Sequence, residues 1–255
     1  MIPKKLHYCW FGGNPKPELA QICIKSWKKH CKGYEIIEWN EDNYDLSKAP
    51  LYVRQAYEAK KWAFVTDFVR LQVVYEHGGI YVDTDVELRK RPDSLLKHQA
   101  FFGFESPLYV ATGVGFGAVK GSPIVKELME DYEHIPFVLE DGSLDLTSCP
   151  VRNTEVFIRH GLQRDGAMQV LDGDVLILPQ EYLSPIECGC DHIKYTKNTI
   201  AVHWFSGSWF MEEDRVGYYK WMKRKNLLEF LSRMGKRLLG EKFYPLIRDF
   251  IKKNK

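Results

Sequence analysis

The run Gly78-Gly79-Ile80-Tyr81-Val82-Asp83-Thr84-Asp85 places two carboxylates directly after a glycine break and a short apolar segment. Such an apolar segment predicts a buried strand, and Asp83 and Asp85 come where that strand ends. On an extended chain, residues two apart point to the same side with Cα atoms about 7 Å apart, so the pair can share one ion. Charges at the end of an internal strand are costly unless a cation offsets them. Oxygen ligands favour Mg²⁺ or Mn²⁺ and leave room for diphosphate oxygens.

The spacing of apolar residues on either side of this run predicts alternating helices and strands. An apolar alternation at residues 6–11 predicts the first strand, and a helical pattern over residues 52–77 leads into the central run. Further strands are predicted at residues 34–39, 100–104, 114–119, 175–178 and 199–205, and further helices at residues 17–30 and 124–132. This order favours an α/β fold whose ligands collect at the carboxyl ends of the strands.

The composition limits the class of protein. Of the 255 residues, 45% are hydrophobic and 27% charged, which excludes a disordered or collagen-like chain. No apolar run approaches the roughly 18 residues of a membrane span, and the start of the chain lacks the apolar core of a secretory signal. The six cysteines form no CxxC pair, so we expect reduced thiols and a cytoplasmic protein.

The basic residues are concentrated at the end of the sequence. Residues 220–255 carry a net charge of +9, whereas residues 1–219 carry −7. Apolar residues at helical spacing within this tail predict a basic amphipathic helix: Leu227, Leu231, Met234 and Leu238. Two roles stay open for this helix. It could bind the anionic surface at the inner face of a membrane, or it could pack against the rest of the protein. Nucleic-acid binding is not favoured, because no groove-reading or strand-stacking motif accompanies the charge.

Three blocks of sequence carry a family resemblance. They are residues 2–13, Ile-Pro-Lys-Lys-Leu-His-Tyr-Cys-Trp-Phe-Gly-Gly; residues 64–85, which hold Asp67, Arg70 and the central run; and residues 203–209, His-Trp-Phe-Ser-Gly-Ser-Trp. In this order they resemble the DXD glycosyltransferases of family 32. That family includes yeast mannosyltransferases and bacterial capsular polysaccharide enzymes, and its core is similar to that of the clostridial glucosylating toxins. The resemblance covers roughly residues 2–210.

The resemblance implies a GT-A-like fold, a Rossmann-like mixed sheet flanked by helices. It implies a catalytic domain at residues 1–215, with the basic helical tail at residues 216–255 outside it. It also implies a nucleotide-sugar donor, with a UDP-sugar favoured, a divalent cation (Mn²⁺ or Mg²⁺), and retention of the anomeric configuration.

Carried onto matching positions, the resemblance implies roles for individual residues. Asp85 would bind the metal directly, and Asp83 would contact either the ribose or, through a water molecule, the metal. His203 and either Ser206 or Ser208 would close the metal and diphosphate site. Asp67 and Arg70 would hold the donor sugar and diphosphate. The remaining donor contacts would be Trp10, stacked on the uracil, together with Tyr81, Ser208 and Trp209.

The residue that faces the reactive sugar is less defined. Asn153 is the candidate in the middle block, where Cys149-Pro150 departs from the usual Gly-Pro pattern of the family. We therefore count Asp67, Arg70, Asp85 and Asn153 as the catalytic candidates.

Simpler interpretations compete with these roles. Asp67 and Arg70 lie three apart on a predicted helix and fit a surface ion pair as well. Trp10 fits core packing, and His203 fits a hydrogen-bonded strand histidine.

The favoured function is a hexosyl- or N-acetylhexosaminyltransferase that extends a polysaccharide or lipid-linked glycan, as in capsule or surface polysaccharide synthesis. One alternative is a non-catalytic nucleotide-sugar binding module of the same fold. Another is a metal-dependent phosphohydrolase, which would need a water-activating base or a second carboxylate cluster near Asp83 and Asp85; Glu87 is the only acid close to them in the sequence.

Overall fold

The computed structural model describes residues 1–186 and 193–206. The strands are β1 (Lys5–Cys9), β2 (Glu35–Trp39), β3 (Gly79–Tyr81), β4 (Val86–Leu88), β5 (Ala100–Ser106), β6 (Tyr109–Ala111), β7 (Phe116–Ala118), β8 (Gln169–Leu171), β9 (Val175–Leu178) and β10 (Ala201–His203). The helices are α1 (Glu18–His30), α2 (Leu51–Glu58), α3 (Trp62–His77), α4 (Pro123–Glu133), α5 (Cys149–Arg159) and α6 (Gln180–Leu183).

A mixed sheet forms the centre of the molecule. Its strand order is β2-β1-β3-β7-β5-β9-β8, with β6 paired to β5. Strands β2 and β3 both run parallel to β1, whereas β7 runs antiparallel to β3. A separate antiparallel ribbon pairs β4 with β10. The predicted class, a Rossmann-like mixed sheet flanked by helices, is confirmed.

Two hydrophobic cores lie on opposite faces of the sheet. One contains buried side chains of α2, α3, α4 and α5. The other contains side chains of α1, α6 and the β4–β10 ribbon. Because α1 leads from β1 to β2 and α3 leads back to β3, the chain changes face at β1, and ligands of open α/β sheets bind at such a switch point.

The predicted helix over residues 52–77 is two helices. α2 ends where Lys61 N donates to Ala56 O (2.9 Å) and Lys60 N donates to Tyr57 O (2.9 Å), the bond pattern of a Schellman motif. Lys60 takes the left-handed conformation that this ending requires, with φ of 56°. The periodicity continues across the break because both helices bury apolar faces in the same core.

α3 ends at a position that only glycine suits. Gly78 has φ of 63°, and a Cβ on it would lie 2.8 Å from Lys120 N. Its N–H caps the helix by donating to Val74 O (2.8 Å), so the chain turns at once into β3. Gly78 thereby fixes the distance between Arg70 on α3 and the acidic run after β3.

Other parts of the chain also differ from expectation. The sequence predicts no element over residues 149–159, where α5 lies, whereas the strands predicted at residues 100–104 and 114–119 correspond to β5 and β7. Cys9, Cys23, Cys31 and Cys149 are free thiols, as predicted for those four. Within the described residues, no helix combines the length and apolar character needed to cross a membrane. Ser208, Trp209 and the predicted tail at residues 216–255 lie outside the described residues.

Candidate active site

The two carboxylates follow β3 at the carboxyl edge of the sheet. Asp83 N donates to Gly113 O (3.4 Å), and residues 84–85 form a turn instead of the extended chain we predicted. The turn closes with Val86 N donating to Asp83 O (3.0 Å). Asp83 and Asp85 nevertheless aim toward one point, because their ligand atoms and one nitrogen of His203 lie within 4.8 Å of one another.

His203 reaches this point through the β4–β10 ribbon. The ribbon pairs His203 with Val86, the residue after Asp85. His203 Nε2 lies 3.2 Å from Asp85 Oδ1. Ser206 donates to Asp85 Oδ2 twice, from its backbone N–H (2.9 Å) and from its hydroxyl (2.8 Å). The structure therefore brings together the four residues predicted for the metal site.

Arg70 lies on the other side of Asp83. Its Nη2 contacts Asp67 Oδ1 (2.9 Å) and Asp83 Oδ1 (3.4 Å), and its Nε donates to Thr66 O (2.9 Å). The guanidinium also lies over the ring of Tyr81, 5.2 Å from the centroid, and the hydroxyl of Tyr81 donates to Asp83 Oδ1 (2.8 Å). Arg70 is only 3% exposed, so this ion pair is buried and is not the surface pair considered above.

The charges around this point depend strongly on one another. Burial would raise the pKa of Asp85, but His203 and the hydrogen bonds from Ser206 hold it well below its usual range. Burial would lower the pKa of His203, yet the carboxylate of Asp85 raises it to about 9. Burial raises the pKa of Asp67 to about 6 against the opposing charge of Arg70. A metal ion needs a neutral imidazole, so its binding would release the proton from His203.

The geometry fits a divalent cation. Ligand atoms that each lie about 2.1 Å from one ion are at most about 4.2 Å apart, and the observed spread needs only a small side-chain adjustment to reach this. Two carboxylates and one imidazole suit Mg²⁺ or Mn²⁺. His203 is 9% exposed, and its Nδ1 has no hydrogen-bond partner among the described residues.

A pocket of about 760 Å³ opens past the ends of β1 and β2, and the residues of the acidic cluster are not part of its lining. Trp10 and Trp62 line it, and a Cβ on Gly12 would lie 2.6 Å from the Trp62 ring. Glu41 connects two sides of the pocket, because its carboxylate accepts hydrogen bonds from Gly12 N (2.7 Å) and from the Tyr57 hydroxyl (3.1 Å). Trp10 is thus at a ligand-sized opening and not in the core.

Asn153 is buried, and its side chain bonds to Thr112. It is 1% exposed, and its Oδ1 accepts from Thr112 N (3.3 Å) and the Thr112 hydroxyl (3.1 Å). Thr112 precedes Gly113, which touches Asp83. Cys149 Sγ lies 4.0 Å from Arg70 Nη1 and from Thr112 Oγ1. The predicted role of Asn153 at the sugar stays a prediction.

Two residues, Trp62 in the pocket and Glu105 near the acidic cluster, were not predicted from the sequence. Trp62 was hidden by the apparent continuity of the long helix. Glu105 follows the apolar run 100–104 just as Asp83 follows the run 80–82, and that shared pattern would have found it.

The fold and site define an α/β protein with an acidic cluster at the switch point of its sheet, where Asp83, Asp85 and His203 could hold a cation. Residues 17–102 match the model of the family described as "Glycosyltransferase sugar-binding region containing DXD motif". This region contains Asp67, Arg70, Asp83 and Asp85, and it confirms the resemblance to DXD glycosyltransferases. The first and last blocks of the resemblance, residues 2–13 and 203–209, lie entirely outside the matched region.

A curated relative and two solved structures are also similar to this chain. Inositol phosphoceramide mannosyltransferase 3 of Schizosaccharomyces pombe is 28% identical over 140 residues, which are 53% of this chain and 38% of the relative. The chain thus matches well under two thirds of that relative's length.

"PaToxG Glycosyltransferase" is 19% identical with a TM-score of 0.47, over 62% of this chain and 69% of that one. A glycosyltransferase involved in glycosylation of the major capsid of PBCV-1 is 13% identical with a TM-score of 0.45, over 86% of this chain and 100% of the other.

Proposed function

We propose that this protein is a divalent-cation-dependent glycosyltransferase that moves a sugar from a nucleotide-sugar donor to a glycan or lipid-linked acceptor. The observation that carries this proposal is the convergence of Asp83, Asp85 and His203 beside the buried Arg70–Asp67 pair. The match of residues 17–102 to a DXD sugar-binding region supports it.

The reaction breaks the bond between the anomeric carbon and the diphosphate and forms one to an acceptor hydroxyl. A cation held by Asp83, Asp85 and His203 would supply Lewis-acid stabilisation of the departing diphosphate. Arg70 supplies a second, fixed positive charge, since Asp67, Asp83 and the Thr66 carbonyl hold its guanidinium in place. In this proposal Asp67, which is paired with Arg70, also accepts a hydrogen bond from a hydroxyl of the donor sugar. Retention of configuration is part of the proposal.

The Trp10–Trp62 pocket is the proposed site for the base of the donor. Trp62 begins α3, and Arg70 lies eight residues further along it, a distance of about 12 Å at 1.5 Å per residue. That span suits a base, ribose and diphosphate laid from the pocket to the acidic cluster. Aromatic side chains stack on any base, so uracil is proposed on the family resemblance alone.

The proposals for the acceptor and for the cellular location rest on the name of a relative and on the charge of residues 220–255. The mannosyltransferase relative acts, by its name, on a phosphoceramide lipid. The basic residues at 220–255 would suit an anionic membrane. We propose a lipid-linked or polysaccharide acceptor, as in capsule or surface polysaccharide synthesis, with the protein peripheral to the inner face of the membrane.

The test is a panel of UDP-, GDP- and dTDP-sugars incubated with the full chain and Mn²⁺ or EDTA, with released nucleoside diphosphate measured. We expect one donor to be hydrolysed or transferred only with Mn²⁺. Asp85→Asn should lower that rate on the order of 100-fold, while Asp172→Asn, at an exposed position, should not. Tight binding of a donor without turnover in any condition would favour a binding module instead.

A further inference from the structure

Glu105 is an acidic residue near the cation site that no part of the proposed mechanism uses. It is the penultimate residue of β5, which pairs with β6 through Phe104↔Val110 and Ser106↔Tyr109. The register shifts between these two pairs, so Glu105 is the extra residue of a bulge. Bulges re-aim side chains and are common beside active sites.

Glu105 lies at the same edge of the sheet as Asp83, because β3 and β5 both pair antiparallel with β7, through Gly79↔Ala118 and Ala100↔Ala118, and therefore run in the same direction. Burial raises the pKa of Glu105; the carboxylates of Asp83 and Asp85 raise it further, and His203 and Arg70 lower it. Asp83 Oδ2 also lies against the segment that follows β6, because a Cβ on Gly113 would lie 2.6 Å from it. The β5–β6 pair therefore forms one wall of the acidic site.

Glu105 has no partner of its own within the described chain. No hydrogen bond or ion pair reaches its carboxylate there, although the side chain is half-buried. A half-buried carboxylate beside two others destabilises the fold unless something positive or hydrogen-bonding is bound nearby. Asp67, Asp83 and Asp85, by contrast, each have a fixed protein partner.

We infer that Glu105 is an outer carboxylate of the cation site, accepting a hydrogen bond from a water molecule on the ion that Asp83, Asp85 and His203 hold. The inference rests on the proposed function. Glu105 is not among the three residues whose ligand atoms cluster, so it does not act as a direct ligand. Mg²⁺ keeps several of its six positions for water and substrate oxygens, and carboxylates that bind such waters tune affinity.

The test measures Mn²⁺ affinity of the full chain by electron paramagnetic resonance, without nucleotide. Glu105→Gln should weaken Mn²⁺ binding about 10-fold. Glu87→Gln is the matched control, since Glu87 is also an acid near the site but is already paired with Arg89 (2.7 Å) and Trp204 (3.2 Å). It should change the affinity less than about 2-fold, which separates loss of general negative charge from loss of a specific contact.

The melting temperature distinguishes this role from a purely structural one. If Glu105 only stabilised the fold, Glu105→Gln would lower the melting temperature even without metal. In EDTA, Glu105→Gln should melt at the same or a higher temperature than wild type, because an unpaired carboxylate is removed. In Mn²⁺, wild type should gain more stability than the variant, in line with its tighter binding. Glu105→Asp, which keeps the charge on a shorter side chain, should bind with intermediate affinity and serves if the glutamine variant fails to fold.

Each contrary outcome has a distinct meaning. Equal Mn²⁺ affinity for Glu105→Gln and Glu87→Gln would overturn the inference and leave the proposed function standing. Unchanged affinity with slower donor hydrolysis would overturn it in favour of a substrate contact. If wild type binds Mn²⁺ no better than Asp85→Asn, the inference falls together with the cation dependence of the proposed function.

Discussion

At the scale of the residue, Arg70 is the side chain whose contacts are hardest to replace. One guanidinium reaches Asp67, Asp83 and the Thr66 carbonyl, and its charge lies over the Tyr81 ring. A lysine carries the same charge on a single nitrogen and cannot make these contacts in the same plane. The position therefore requires arginine for its shape as well as for its charge.

Arg70→Lys tests this requirement. We expect the turnover of the donor to fall on the order of 100-fold, because the charge facing the leaving group is no longer fixed. Mn²⁺ binding should persist, since none of the cluster residues is changed. Arg54→Lys, at an exposed position on α2, is the control and should keep full turnover. A lysine variant as active as wild type would show that charge alone suffices.

The residues of the site differ in how visible they were from the sequence. Asp83 and Asp85 end an apolar run, so local spacing revealed both. Asp67 and Arg70 lie three apart on a helix, a spacing that predicts an ion pair, and their place in the site was expected only from the family resemblance. Glu105 ends a similar run but stands alone, and its position depends on a bulge that spacing does not reveal. The contact between His203 and Asp85 was expected only from family resemblance, because it depends on pairing between strands more than a hundred residues apart.

At the scale of the element, the break between α2 and α3 matters most for the site. It ends one helix with a Schellman motif and starts the next at Trp62, which places that ring on the wall of the pocket. The sequence predicts a single helix because the apolar period runs through the break. Glycine usually occupies the left-handed position of this motif, and here lysine does, so the usual stop signal is missing.

Replacing Lys60 with glycine should relieve the left-handed strain. Lys61→Gly is the matched control, because Lys61 has φ of −95° and gains nothing from glycine's freedom. We expect the free energy of unfolding, measured by urea denaturation, to be about 1 kcal/mol higher for Lys60→Gly than for Lys61→Gly. Equal stability of the two variants would mean that Lys60 bears no strain.

At the scale of the whole molecule, His7 connects β1 to both of its neighbouring strands, β2 and β3. It is fully buried on β1; Trp39 Nε1 on β2 donates to its Nδ1 (3.1 Å), and its Nε2 lies 2.9 Å from Gly78 O before β3. The Trp39 bond leaves the proton on Nε2, which donates to Gly78 O. A second proton on Nδ1 would break the bond to Trp39, so the folded protein needs His7 neutral.

This need makes stability depend on pH. Burial is the main cause that lowers the pKa of His7 to about 4. The folded pKa lies below the unfolded value of 6.5, so the stabilisation is present above pH 6.5 and is lost as pH falls through 4. This pKa shift corresponds to a loss of about 3 kcal/mol in the free energy of unfolding.

The measurement is the free energy of urea unfolding between pH 7.5 and 4. Other carboxyl groups titrate in this range, so the prediction concerns the difference between proteins: His7→Gln should lose about 3 kcal/mol less than wild type as the pH falls. His134→Gln, at an exposed position, should lose as much as wild type. A His7→Gln variant with the wild-type pH dependence would show that His7 titrates normally in the folded protein.

The separation of charge along the chain determines which segment would bind an anionic membrane. Residues 1–219 carry −7 and are repelled by an anionic surface, whereas residues 220–255 carry +9 and are attracted to it. Attraction confined to one segment would orient the protein as well as bind it. The full chain should therefore bind vesicles that contain phosphatidylglycerol, should not bind phosphatidylcholine vesicles, and should be released by salt, because the Debye length falls from about 10 Å at 0.1 M to about 3 Å at 1 M.

Replacing Lys223, Arg224 and Lys225 with glutamine should weaken this vesicle binding about 100-fold, at about 1 kcal/mol for each charge removed. The control replaces Lys25, Lys28 and Lys29, which are exposed on α1, and removes the same charge from the acidic part of the chain. If both triple variants lose affinity equally, attraction depends on overall charge and not on the basic segment. If the first triple variant binds as tightly as wild type, the basic residues of that segment do not contact the membrane, and packing against the catalytic domain becomes the favoured role of the predicted helix.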